Sequence, residues 1–151
     1  MTGINSMLSY GQIFDAVTLA LHRAFPEARI HGGEVPQDLL PGDLAVIPVG
    51  TAHRQAMGTR AARSVTFDVI YFPPEGDEQR ADQLRVAEAL PILLGTVTTP
   101  EGFAVHALSC DAAIDEDVLH VTVSYPHFVY MPAGDDRMRE INSINIGGQD
   151  D

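Results

Sequence analysis

Six histidines, one cysteine and twenty-one acidic side chains are the groups in this 151-residue sequence that could do chemistry. Their spacing organises few of them. The histidines are His22, His31, His53, His106, His120 and His127. No two stand four apart as paired helix ligands would, and no His-Glu-x-x-His run occurs. His106 and His120 fall on the two strands of an expected hairpin, where they could be cross-strand neighbours. That leaves two readings: a pair of zinc ligands in a small metal-binding protein or enzyme, or two unconnected side chains. The second is adopted, so no metal ligand is assigned. Cys110 beside either histidine would be a thiol–imidazole pair, but a reactive thiolate wants an electropositive setting and Asp111 follows directly. A single cysteine also excludes an internal disulfide. The acids Asp111, Asp115, Glu116 and Asp117 lack the Asp-x-Asp-x-Asp-Gly spacing of a calcium loop and read as a solvated turn. Gly32-Gly33 is not a dinucleotide loop, and no Gly-x-Ser-x-Gly elbow is present. The chain has no lysine at all, which removes Schiff-base and P-loop lysine chemistry. No catalytic residue and no cofactor is therefore expected, and the chain is read as a non-enzyme.

Charge says more about partners. All nine basic residues are arginines, and the formal net charge is −12. A chain so acidic should be soluble and should repel bare nucleic acid and anionic membranes. It lacks the clustered basic face of a DNA-binding module. Against this background Arg54, Arg60 and Arg63 stand together in one segment, and two readings stay open. They either ride on a solvated loop or meet acidic surfaces of a neighbouring subunit, where opposite charge would offset self-repulsion. They are the candidate oligomer-interface residues. No stretch reaches the length of a membrane span, and residues 1–7 lack the pattern of a secretion signal. Folding in a cytoplasm is expected.

The elements that would carry these groups follow from periodicity. The length suits one domain with its own core. Residues 1–8 read as a flexible lead, residues 9–132 as one domain, and residues 133–151 as a polar C-terminal arm. Ser9 and Gln12 have capping-box spacing, and Ile13, Val17, Ala20, Leu21 and Ala24 form one face of a helix that stops before Pro26. A short strand over 28–31 follows, then a proline-containing loop over 34–42. The apolar run 44–49 predicts a buried strand with Pro48 at an edge or bulge. Residues 51–63 read as a polar loop, and 63–72 as an alternating strand. Asp77 is the expected N-cap of a second helix over 78–94, with Ala81, Leu84, Ala87 and Leu90 or Pro91 facing inward and Pro91 kinking or ending it. Residues 103–114 and 118–131 predict a long hairpin around Asp115-Glu116-Asp117. Residues 137–146 read either as a short amphipathic helix or as an arm ordered by a partner. The sum is an α+β fold, a mainly antiparallel sheet with two helices packed on one face. Its other face and its edges are left for self-association.

This order of segments resembles the tail terminator (tail-completion) proteins of tailed bacteriophages and prophages. The likeness runs from about Ser9 to Ile141. It rests on the opening helix, Ile30-His-Gly-Gly-Glu-Val-Pro-Gln37 before an apolar strand, Val65-Thr-Phe-Asp-Val-Ile-Tyr71 running into Pro-Pro and an acidic helix, Asp117-Val-Leu-His-Val-Thr-Val-Ser-Tyr125, and the late Arg137-Met138. The resemblance implies a structural virion protein. It would form a homohexameric ring that caps the tail tube, stops its growth and docks the head. Its partners would be other copies of itself, the tail tube protein and head–tail connector proteins. DNA would pass through the ring without specific binding, and no membrane is involved. The site of action would be the virion tail, after assembly in the host cytoplasm. A head–tail connector or neck protein is the neighbouring alternative. A metal-binding protein or enzyme using His106 and His120 is the alternative of a different class.

Overall fold

The computed structural model describes residues 8–131. Helix α1 spans Tyr10–Ala24. Its start is fixed by a reciprocal cap: the Gln12 amide N–H donates to Ser9 Oγ at 3.1 Å, and the Ser9 N–H donates to Gln12 Oε1 at 2.8 Å. Phe25 closes the last turn, its N–H donating to the Leu21 carbonyl at 2.8 Å, before Pro26 ends the helix. Strand β1, Ile30–Gly32, follows. Two long strands come next, β2 over Leu44–Gln55 and β3 over Arg60–Tyr71. Helix α2 spans Gln79–Leu94. The chain then forms β4 (Thr96–Thr98), β5 (Ala104–His106), β6 (Ser109–Asp115) and β7 (Val118–Tyr130).

The main sheet has the order β1-β2-β3-β7-β6, and β4 pairs with β5 in a second, two-stranded sheet. Every pairing in the main sheet is antiparallel except β1 with β2. Inward-facing Leu44 and Val46, and every second residue from Val65 to Tyr71 and from Leu119 to Tyr125, join residues of both helices in one core. Leu44, Leu90, Leu94 and Leu119 are each 0% exposed. Each contributes about 2 kcal/mol of apolar burial. Tyr125 is buried there too, and its hydroxyl donates to the Leu94 carbonyl at 2.6 Å. This is the α+β fold expected, with both helices on one face of a mainly antiparallel sheet.

Several expectations are corrected. Residues 51–63 are not a loop: β2 continues to Gln55 and β3 begins at Arg60. This stretch is short of β-branched residues, and the ladders to β3 and β7 hold it extended where its own propensity would not. The expected strand over 103–114 is divided. Val105 turns into the core opposite Val97, the Ala107 N–H donates to the Gly95 carbonyl at 2.8 Å, and only from Ser109 does the chain run beside β7. The hairpin turn is tighter than three acids: Asp115 pairs with Val118, and Glu116 and Asp117 alone turn the chain, at φ 50° and 66°. Both in the left-handed region match the twist of the strands they join.

The inner stripe of α2 is Gln83, Val86, Leu90 and Leu94, while Leu84 is 55% exposed. The stripe is rotated because Gln83 can be buried: its Nε2 donates to the Asp117 carbonyl at 2.6 Å and its Oε1 accepts from Arg80 at 2.8 Å. Glu78 stands at the N-cap without a side-chain bond, and the helix runs on past Pro91 to Leu94. Pro48 sits at the expected irregularity, a register shift between Pro48 and Gly50. The N-terminal lead lies almost wholly outside the described residues. The C-terminal arm, with the segment 137–146, lies wholly outside them.

Candidate functional site

The histidine pair is not assembled. His106 lies on β5 opposite Thr96, and its Nδ1 is 2.9 Å from Thr96 Oγ1. His120 lies on β7 in the other sheet, opposite Ile70 and Ala113, and its Nδ1 is 3.0 Å from Asp68 Oδ2. The break at Ala107 and Leu108 that splits the expected strand separates them. No cluster of three or more metal-ligating side chains occurs among the described residues. Cys110 is a half-buried free thiol. Burial, and then the neighbouring Asp111, push its pKa up, the reverse of an activated nucleophile.

A polar cluster around buried Asp43 joins parts of the fold. Asp43, 2% exposed, accepts from Arg29 Nη2 at 2.7 Å and from the Leu40 N–H at 3.0 Å, and it lies 3.0 Å from His31 Nε2. Burial alone would raise its pKa. The hydrogen bonds from Arg29, Leu40 and His31 outweigh that and hold it down at about 2. The cluster ties β1 to the loop before β2.

A different region stands apart by its charge. The pairing of β1 with β2 stops at Gly32 and Val46, and that of β6 with β7 starts at Ser124. Beyond those points the ends of β2, β3 and β7 continue as a three-stranded tongue. Sequence positions 44–67 contain no acid, nor do positions 118–131, although the chain has twenty-one. Arg54, Arg60 and Arg63 all lie on this tongue. Register decides which way each faces, because cross-strand partners share a face. Arg54, Ala62 and Phe128 are in line, and Arg60 is opposite Tyr130, all on the face away from the helices. Arg63 is in line with His53 and His127 on the helix side.

The three arginines therefore do different things. Arg63 is bound within the chain: its guanidinium carbon is 4.4 Å from the centre of the Tyr10 ring, and Nη2 donates to the Leu8 carbonyl at 2.9 Å. Arg60 lies over the Phe128 ring at 4.2 Å, and its buried Nε has no hydrogen-bond partner among the described residues. Arg54 is exposed. None of the three has a carboxylate within ion-pair distance among the described residues, whereas Arg29, Arg80 and Arg85 each do. Between Arg54 and Pro126 runs a groove of about 410 Å³, floored by Ala52, Ala62 and Ser64 and walled by Leu108. Leu108, Phe128 and Tyr130 are 76%, 54% and 66% exposed. The contrast of charge pointed to the arginines but missed Tyr10, Phe128 and Leu108, which matter only once β7 and α1 are placed beside them.

Known proteins resemble the chain in sequence and in fold. A family model described as phage tail terminator protein matches residues 12–136. Among solved structures, a chain from the virion of a native gene transfer agent (GTA) particle superposes with a TM-score of 0.52 at 18% identity, covering 81% of this chain and 99% of that one. At that identity the likeness is one of fold. No curated protein sequence matches the chain.

Proposed function

The chain belongs to the phage tail terminator family, and from that premise we propose that it forms a hexameric ring which caps the finished tail tube, stops its growth and presents the surface on which the head docks. Family membership makes it a structural protein of the virion tail, working in association with other tail proteins. The ring, the tube protein and the head–tail connector as immediate partners, and the absence of catalysis are our reading. One observation carries the reading. Three arginines with no carboxylate within ion-pair distance among the described residues, Arg54, Arg60 and Arg63, are gathered on one projecting, acid-free tongue, away from any convergence of reactive groups. Arg54 and Arg60 lie at the seam between copies, and Arg63 holds the tongue in place from behind. The acids elsewhere give a negative bore along which DNA passes without specific binding. Assembly takes place in the host cytoplasm.

The test is direct. Tail tubes polymerised from tube protein are incubated with the purified chain, then offered more tube subunits. Electron micrographs should show a ring of this chain at one end and arrested growth there. Growth continuing unchanged at both ends rules the function out.

A further inference from the structure

Resting on that ring reading, we infer that the seam is head-to-tail, with the outer face of the tongue on one copy seated against the acidic corner at the far end of the same strands on the next copy. The tongue lies at the Arg60/Tyr130 end of β3 and β7, and the corner at their Tyr71/Leu119 end. Twelve residues of strand put the two patches roughly 40 Å apart, so they cannot meet within one copy. The corner carries Glu75, Glu116 and Asp117, all exposed, around a depression of about 560 Å³ between the β3–α2 connection and the β6–β7 turn, with Asp117 also paired to Arg80 at 3.3 Å.

Charge selects this occupant. The tongue presents Arg54 and Arg60 with no acid of its own, between exposed Leu108, Phe128 and Tyr130. A nucleic acid is the weaker match, because phosphate binding accumulates over many cations. Arg63 is already engaged with Leu8 and Tyr10, which leaves two arginines. Two different patches at opposite ends of one chain make a heterologous contact, and repetition of such a contact closes a ring when the rotation allows.

The experiment uses the full chain at about 0.15 M salt, where a screening length of about 8 Å damps whole-molecule repulsion but not ion pairs in contact. Sedimentation from micromolar to millimolar concentration is recorded for the wild type, for Arg54→Glu/Arg60→Glu, and for Glu75→Arg/Glu116→Arg. The wild type should associate and each variant alone should stay monomeric. An equimolar mixture of the two variants should regain association beyond dimers, because one seam of each mixed pair is wild type and the other brings the two reversed charges together. A wild type monomeric throughout overturns the inference. So does association of either variant as strong as the wild type's. In the latter case a ring seen on tail tubes keeps the ring reading alive with a different seam, and absence of the ring on tubes removes both. If deletion of residues 133–151 makes the wild type associate and removes any effect of Arg54→Glu on monomer stability, the tongue's occupant is the chain's own C-terminal segment, and the inference is again overturned.

Discussion

The guanidinium of Arg63 lies 4.4 Å above the Tyr10 ring while the Tyr10 hydroxyl donates to the Ala52 carbonyl at 3.2 Å. One residue of β3 and one at the start of α1 thus clasp the tongue from its helix side. His127 packs edge-on against Tyr10, with ring centres 6.1 Å apart. Burial, and after it the nearby Arg63 charge, push the His127 pKa down despite its bond to the Tyr125 carbonyl. The clasp gives a cation to the interior and leaves Arg54, on the same tongue, outside.

That division predicts opposite phenotypes. Arg63→Ala should lower unfolding stability by about 1–2 kcal/mol through the lost stacking and the unpaired Leu8 carbonyl. Arg54→Ala should leave stability within about 0.5 kcal/mol of wild type while weakening association. Denaturant titration and sedimentation on the same samples separate the two. Equal loss of stability in both would contradict the assignment.

Acid titration should find Asp43. Its pKa is held at about 2 against an ordinary 3.8. Its contribution is therefore complete above about pH 4 and lost as pH falls toward 2. Asp43→Ala should cost about 2 kcal/mol at neutral pH, from the unpaired Leu40 N–H and the stranded Arg29. The gap between wild type and variant, followed by urea unfolding, should narrow steadily below pH 4. A gap independent of pH would show that the carboxylate charge is not what matters.

The β6–β7 turn offers a gain. Asp117 holds φ 66°, a conformation that favours glycine. Its ion pair with Arg80 is exposed on both sides and adds little. Asp117→Gly should raise stability by about 1 kcal/mol, seen as a higher Tm for the monomer. A lower Tm would mean that the Arg80 pair outweighs the backbone term.

Tyr125 supplies a core test. Its hydroxyl is buried against the Leu94 carbonyl at the end of α2. Burial pushes its pKa up, so no phenolate forms near neutral pH. Tyr125→Phe should cost about 1–2 kcal/mol by orphaning that carbonyl, measurable by thermal unfolding.

How far the sequence could be read depended on which physical signal was local. The capping box at Ser9 and Gln12 and the alternation of Val65, Phe67, Val69 and Tyr71 are local patterns, and both appear as read. The α2 stripe misled because its deepest member, Gln83, is polar. Its burial depends on a carbonyl 34 residues away, at Asp117. Residues 51–55 misled because alanine, histidine, arginine and glutamine carry little strand preference. The β3 ladder supplies the preference. His106 and His120 are not cross-strand neighbours because one backbone bond, Ala107 to Gly95, moves His106 into another sheet. The arginine segment was legible as a contrast of charge. Its division into one clasp and two outward cations needed the register.

The most direct measurement is the length of tails on the particles to which this chain contributes, assembled with and without it. In its absence tails should lose their fixed length and accumulate unattached to heads, and supplying the chain should restore both. Fixed-length, head-attached tails made without it would contradict the account.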